Sequence, residues 1–150
     1  MTVDFAFKKS PAYRVAALRW KGAWSDARIH AQFLRVAAWA KAHGLRTGKW
    51  IFLEPAERTW EVAVQVRGPA RSGNGIRVRT MPGSRVASVT FDPGVVSPAV
   101  VYHGVHDWLR ARRKDRTIAR VGAYREVYGG DPWKDRRALA RTEIQVLVRP

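Results

Sequence analysis

An acidic residue between two tyrosines is the pattern in this sequence that most clearly suggests chemistry. In the string VGAYREVY, the two-residue period of a β-strand places Tyr124, Glu126 and Tyr128 on one face. Phenolic hydroxyl groups can hold a carboxylate by hydrogen bonds while the rings form apolar walls around it. Glu126 is therefore a candidate binding residue and a candidate general acid or base, with Tyr128 as a candidate proton donor. The alternative is an exposed acid on an edge strand that pairs with one of the many arginines.

The first half of the chain contains a counterpart of this strand. In GKWIFLEP the same period places Trp50, Phe52 and Glu54 on one face, and an offset of 74 residues superposes them on the acid and its two tyrosines. Both halves would then present aromatic side chains to one shared groove. The alternative for Trp50 and Phe52 is ordinary core packing beneath a helix.

The sequence is an internal duplication. PAYRVAALRWKG at 11–22 aligns with PGSRVASVTFDP at 82–93 at an offset of 71, which superposes Arg14 on Arg85 and Ala16 on Ala87. Each copy is followed by an amphipathic stretch that begins with serine and then by two strand-like runs. Two copies predict two strand–helix–strand–strand modules with a groove between them, because a solenoid needs at least three repeats.

The periodicity predicts the elements that position these residues. The predicted fold is a single α+β domain over residues 1–150, with pseudo-repeats of about 1–68 and 74–150, pseudo-twofold symmetry and a linker at about 67–75. Two main helices begin at Ser25 and Ser97 and end near His43 and Arg113. About eight strands complete the fold, at 2–9, 13–20, 49–53, 60–66, 76–80, 85–91, 121–128 and 142–148.

Aromatic residues supply further candidates for the groove. The chain has seven tryptophans, and rings of this kind bind planar ligands by stacking and cations by cation–π contacts. Trp60 and Glu61 in the string TWEV are expected to border the groove, and Trp133 in GGDPW is expected to cap its mouth. Tyr13, at the start of the second strand, is a further candidate. Trp39 and Trp108, both on helices, are expected to pack.

Composition excludes several classes of protein. The chain has no cysteine, which excludes disulfides and thiol nucleophiles, and no apolar run near the roughly 20 residues that a membrane span needs. The N-terminus lacks the apolar core of a signal peptide, so we expect a cytoplasmic protein without membrane contact. His103 and His106 lie three apart on a predicted helix, but no third ligand accompanies them, so we expect no metal. No nucleotide-binding or nucleophile motif is present, and no cofactor is expected.

The net charge is +16, from 28 basic and 12 acidic residues. A field of this strength attracts polyanions, so nucleic acid is a candidate partner. The basic residues are nevertheless spread along the chain, with the densest runs at 110–116 and 134–141. The two interpretations are a dedicated nucleic-acid site and ordinary solvated faces. Weak, non-specific, salt-sensitive binding to nucleic acid is expected in either case.

The chain resembles the GyrI-like (gyrase-inhibitor-like) small-molecule-binding family, which includes effector-binding domains of AraC-type and MerR-type regulators. The strings that carry the resemblance are SPAYRVAALRWKGAW, TWEVAVQVRG, REVYGGDP and TEIQVLVRP. The resemblance implies a hydrophobic groove between two related modules, with a buried carboxylate that meets cationic or polar aromatic ligands. The matching acid here is Glu126, in the strand before the GDP turn. Unlike the regulators, this sequence leaves no room for a helix-turn-helix domain, which predicts a stand-alone protein.

Three hypotheses for function follow. The first is a binding protein that captures an aromatic or hydrophobic drug, toxin or effector. The second is a hydrolase, because some members of the family open strained cyclopropane rings in DNA-alkylating toxins, and Glu126 could activate the water. The third is interaction with a macromolecule: DNA, gyrase or a partner regulator.

Overall fold

Two copies of one unit follow each other along the chain in the computed structural model, which describes residues 3–150. The first copy consists of β1 (Ala6–Ser10), β2 (Tyr13–Lys21), α1 (Asp26–Ala42), β3 (Arg46–Ala56) and β4 (Thr59–Arg67). The second consists of β5 (Arg77–Met81), β6 (Ser84–Phe91), α2 (Pro98–Lys114), β7 (Arg120–Tyr128), α3 (Arg136–Ala140) and β8 (Thr142–Arg149).

The predicted α+β fold of duplicated strand–helix–strand–strand modules is confirmed. The short helix α3 is an addition, because the sequence predicts only a long connection before the last strand. The strand predicted over 2–9 begins at Ala6, and residue 2 lies outside the described residues. In the described part of the chain, no helix combines the length and the apolarity needed to cross a membrane.

The eight strands form one antiparallel sheet in the order β1-β6-β8-β7-β3-β4-β2-β5. Exchanging each strand for its equivalent in the other copy gives the same order read from the opposite edge of the sheet, as a pseudo-twofold axis requires. The registers agree: Phe7 pairs with Ala87, and the equivalent pair at an offset of 71 is Ala16 with Val78. The first strand of each copy therefore lies beside the second strand of the other, so the two modules are interlocked.

The pseudo-twofold axis passes through the centre of the sheet, where β3 pairs with β7. In this pair Phe52 lies directly opposite Glu126, and Trp50 lies opposite Tyr128. An offset of 74 makes Phe52 and Glu126 each other's equivalent. The candidate acid therefore sits beside the axis, where both halves of the molecule meet.

Gly48 in β3 and Gly122 in β7 are equivalent at an offset of 74, and each lies at an irregularity of its strand. The register of β3 shifts between Thr47 and Trp50, and that of β7 shifts between Val121 and Tyr124, which marks one extra residue in each strand. A Cβ atom on Gly48 would lie 2.6 Å from Gln65 Oε1. The bulge in β7 brings Tyr124 to the same face as Val121, although the two residues are three positions apart.

Both long helices pack on one face of the sheet and bury an apolar stripe against it. Helix α1 begins at the N-cap Ser25, whose hydroxyl accepts a hydrogen bond from Arg28 N at 3.2 Å. Helix α2 has Pro98 in its first turn, and Ser97 makes no side-chain capping bond. The buried helical residues are Ile29, Phe33, Val36, Trp39 and Ala40 on α1 and Val101, Val105 and Leu109 on α2. Trp108 is half-buried against Phe5 and Phe7.

The opposite face of the sheet carries its own apolar cluster and a buried polar network. The cluster consists of Tyr13, Val15, Ala17, Ile51, Ala63, Met81 and Val127. The guanidinium of Arg125 on central β7 donates to Ser10 Oγ at 3.0 Å and contacts Met81 Sδ at 3.2 Å. Ser10 lies on one edge strand and Met81 on the other. The sheet is therefore curled strongly enough for both edge strands to contact the side chain of Arg125.

Candidate functional site

Glu126 lies in a groove between α1 and α2 on the helix-covered face of the sheet. Its Oε1 accepts a hydrogen bond from the hydroxyl of Tyr102 at 2.5 Å, and its Oε2 accepts one from the hydroxyl of Tyr128. Tyr128 lies on the same strand, two residues away, where side chains share a face. Tyr102 comes from α2. The half-buried carboxylate is therefore held in one orientation by a strand neighbour and a helix neighbour.

Two cavities adjoin this carboxylate. The larger has a volume of about 310 Å³ and lies on the α2 side, and the smaller has a volume of about 60 Å³ beneath α1. Trp24, Phe52 and Glu126 line both. The other aromatic lining residues are Trp60, Tyr102 and Tyr124 in the larger cavity and Phe33, Tyr128 and Trp133 in the smaller.

The rings around the larger cavity meet in defined geometries. Trp24 contacts Phe52 and Trp60 edge to face, with centroids at 5.4 and 5.3 Å. Phe52 and Trp60 lie nearly parallel at 6.0 Å. More than half of the Trp24 surface is exposed, so its indole forms a rim that a bound ring can stack against. The Trp24 ring therefore forms one wall, and the Phe52 and Trp60 rings form a second wall at a right angle to it.

Trp133 closes the α1 end of the groove. Its ring stacks on His30 with a centroid distance of 4.4 Å and lies 6.1 Å from Phe33. His30 Nε2 is 3.2 Å from Asp131 Oδ2, which ties α1 to the loop after β7. Trp133 thus lies at the mouth of the smaller cavity, where the sequence predicts a cap.

Glu61 and Tyr13 lie outside the groove, whereas Trp60 lines the larger cavity. Trp60 and Glu61 are adjacent on β4 and so point to opposite faces, which means that both cannot border one groove. Glu61 is almost fully buried on the opposite face and pairs with Arg19 at 3.1 Å and Arg79 at 2.5 Å. Tyr13 is buried in the cluster on that same face. The predictions that Glu61 and Tyr13 border the groove are corrected accordingly. Strand alternation and the curl of the sheet turn these two side chains away from Glu126.

Trp50 supports the groove from below. Its ring stacks on Phe33 at 4.8 Å and is almost fully buried in the core beneath α1. Phe52, two residues along, lines both cavities. Of the alternatives open for these two side chains, core packing therefore describes Trp50, whereas Phe52 is buried and also faces the groove.

Tyr102 and Trp24 are two of the groove residues that were not among the sequence candidates. Tyr102 follows the buried Val101 on α2, and Trp24 lies just before α1. A signal for Tyr102 exists in the duplication, since it occupies the position equivalent to His30 on α1, which also faces the groove. Neither residue shares a local pattern with Glu126, so strand periodicity could not find them.

The sequence model of the GyrI-like small molecule binding domain matches residues 4–149. This chain belongs to the GyrI-like family. The match spans both copies of the repeat and all eight strands. Comparison with curated proteins returned no match.

Solved structures share the fold of this GyrI-like domain. The C-terminal domain of EcmrR is similar over 99% of both chains, with 19% identity and a TM-score of 0.78. SAV2435, solved with bound tetraphenylphosphonium, is similar over 97% of this chain and 94% of its own, with 10% identity and a TM-score of 0.55. A hydrolase from Listeria innocua is similar over 96% of this chain and 91% of its own, with 12% identity and a TM-score of 0.54.

The groove of this GyrI-like domain is acidic in a protein whose net charge is +16. The larger cavity has Glu54 and Glu126 at its wall, and the smaller has Asp26 and Glu126. Arg125 also adjoins the larger cavity, but its guanidinium turns to the opposite face, where Nε donates to Gln145 Oε1 at 2.8 Å. Among the described lining residues, every charged group directed at the groove is therefore a carboxylate.

A metal site is not evident in this domain. Among residues 3–150, no group of three or more histidine, aspartate or glutamate side chains is arranged to hold a metal ion. His103 and His106 are both exposed on α2.

The groove tyrosines keep their protons. Burial raises the pKa of Tyr102 and of Tyr128 far above the usual value near 10, and the neighbouring Glu126 carboxylate raises both further. Burial also raises the pKa of Tyr124, which stacks on Tyr102 at 6.1 Å. The two hydroxyls that hold Glu126 are thus donors throughout the physiological pH range.

We expect Tyr102 and Tyr128 to remain un-ionised at about pH 11, where a free tyrosine is mostly ionised. Because both pKa values are raised by folding, the stability that they contribute is complete below the ordinary tyrosine pKa and is lost as the pH rises beyond it. Ultraviolet difference absorbance of tyrosinate during an alkaline titration measures this. The Tyr102→Phe variant should lose one late-titrating group, and titration of all tyrosines near pH 10 in the folded protein would contradict the expectation.

Proposed function

We propose that this protein binds a bulky aromatic or hydrophobic cation in the groove, with Glu126 as the counter-charge. The observation that carries the proposal is the carboxylate of Glu126, held by two tyrosine hydroxyls and surrounded by aromatic rings. A drug, a toxin or a signalling effector of this chemistry would fit equally.

The tyrosines prepare the carboxylate for a cation. Their hydrogen bonds fix its orientation, so that ordering it costs little when the ligand binds. Each carboxylate oxygen can accept more than one hydrogen bond, so capacity remains for a ligand donor. Because rings cover the surroundings, the attraction between the carboxylate and a cation is stronger than it would be in water.

The aromatic walls contribute the second half of the recognition. Trp24, Phe52 and Trp60 offer ring faces and edges to a ligand with aromatic groups of its own. The indole faces also attract positive charge directly. The larger cavity, at about 310 Å³, lies at the lower end of the size range typical of small-molecule sites. The bound tetraphenylphosphonium in the similar SAV2435 supports a ligand of this chemistry.

The test is a titration of intrinsic tryptophan fluorescence with tetraphenylphosphonium and with triphenylphosphine oxide, a neutral compound with similar rings. We expect saturable quenching by both, with the cation bound roughly ten times more tightly because only the cation gains from the carboxylate. The Trp24→Phe variant should show a smaller change in signal, because this indole lines both cavities. Equal affinity for the two compounds would refute the role of charge.

A hydrolase is the second candidate, and a specific observation favours it: an acid and two protonated phenols meet at one point in the groove. In a cyclopropane substrate, a water oxygen would bond to a ring carbon as Glu126 accepts its proton. The ring C–C bond would break as Tyr128 donates a proton to the group that receives its electron pair, and Glu126 would then return the proton taken from water to Tyr128. The similar fold of the Listeria innocua hydrolase is compatible with this chemistry.

A further inference from the structure

A cavity of about 880 Å³ lies away from Glu126 at the far end of α2. Its floor is apolar and includes Leu109, Ile118 and Val121. Four basic side chains surround the floor: Arg110, Arg113, Lys114 and Arg116. Among the described residues that line this cavity, every charged side chain is basic, in contrast to the acidic groove.

Among the described residues, no acidic side chain forms a salt bridge with any of the four basic side chains. The neighbouring Arg112, in contrast, pairs with Asp115 at 3.1 Å. Like charges gathered in one concave surface repel each other, and a bound anion relieves that repulsion.

The requirements of a helix C-terminus do not account for this charge. Helices α1 and α2 are equivalent in the duplication and have 17 residues each. The last turn of α1 has one basic residue, Lys41, and the last turn of α2 has three. One cation is sufficient to interact favourably with the dipole of α1, so the additional charges on α2 call for another explanation.

The two halves differ at a pair of equivalent arginines, Arg14 and Arg85. In the first half, Arg14 donates to the carbonyl oxygens of Gly68 and Ala70 in the connection after β4. Its equivalent in the second half, Arg85, instead lies over the ring of Phe7 at 4.7 Å and lines a cavity of about 800 Å³ that adjoins the first at Val121 and Pro150.

We propose that the cavity at the end of α2 is a second binding site, specific for a small amphipathic anion. Its apolar or aromatic body would lie on Leu109, Ile118 and Val121, and its carboxylate, sulfonate or phosphate group would lie among the four cations. Charge-assisted hydrogen bonds from arginine recognise such oxyanions. Tyr124 lines this cavity and the groove alike, so one ring separates an anion site from a cation site. This inference does not rest on the function proposed for Glu126.

The test uses anilinonaphthalene sulfonate, an aromatic anion whose fluorescence rises in apolar surroundings, at about 0.15 M salt. We expect saturable binding to one site, with Kd raised about tenfold in the double variant Arg110→Gln/Arg113→Gln. The matched control is Lys41→Gln, which removes a positive charge at the position equivalent to Arg113 on α1 and should leave Kd within about twofold. Thermal melts of all variants show whether each is folded.

Competition identifies the class of ligand. Decanoate should displace the probe, whereas inorganic phosphate at the same concentration and tetraphenylphosphonium should not. Displacement by an oligodeoxythymidine but not by decanoate would overturn the proposal in favour of a nucleic-acid surface. Equal loss of binding in Lys41→Gln, or no loss in the double variant, would show that the probe responds only to net charge or binds elsewhere.

Discussion

Replacing Glu126 by glutamine should weaken tetraphenylphosphonium binding by roughly 10- to 100-fold and leave the fold intact. The amide has the shape of the acid, but it has no net charge and presents one oxygen and one NH₂ group. Tyr102 and Tyr128 both donate to the carboxylate, so one of them would face an amide donor and lose its acceptor. Affinity for triphenylphosphine oxide should change much less. Fluorescence titration of each variant with both compounds measures the difference.

The matched control for this variant is Glu57→Gln. Glu57 is exposed in the turn between β3 and β4, so its replacement removes the same charge without touching the groove. Similar losses of affinity in the two variants would mean that the cation senses only the overall field. The Glu126→Gln protein also separates binding from hydrolysis: turnover that disappears in this variant while substrate binding is retained would favour the enzyme.

Replacing Arg125 by alanine should lower the free energy of unfolding by about 2–4 kcal/mol. Only 5% of Arg125 is exposed, and its guanidinium contacts Ser10, Met81 and Gln145. The truncation would leave a cavity and deprive Gln145, which is fully buried, of a donor. It would also remove the side chain that both edge strands contact. Urea unfolding followed by circular dichroism measures the change.

Two variants define the cause of this loss. Arg120→Ala lies on the same strand at an exposed position and should change stability by less than about 0.5 kcal/mol. Arg125→Met restores most of the volume and removes the buried charge, whose desolvation already lowers the pKa of Arg125. We expect it to recover part of the stability. A variant Arg125→Ala as stable as the wild type would contradict the central role assigned to this side chain.

Partnership with DNA, gyrase or a regulator stays a prediction. Competition at the basic cavity tests the partnership with DNA, because decanoate displaces the probe from a small-anion site and an oligonucleotide displaces it from a nucleic-acid surface. The net charge of +16 does not separate them, because every polyanion is attracted by such a field.

The amino-acid sequence by itself determined the repeat, the order of the strands and long helices, and the pairing of Glu126 with Tyr128. These are local properties: alternation in a strand depends on the backbone geometry, and duplicated strings fold into equivalent units. The same alternation also implies that Trp60 and Glu61 must lie on opposite faces.

Only the tertiary structure decided which distant side chains surround Glu126. Tyr102 on α2 donates a hydrogen bond to Glu126 on β7, and Trp24, just before α1, lines the same cavity as Glu126. Neither proximity has a local sequence signal. The curl of the sheet buries Tyr13 and Glu61 on the face opposite the groove, and the bulge in β7 places Val121 on the same face as Tyr124. Such contacts join residues far apart in the chain, so they follow from packing of whole elements rather than from any short pattern.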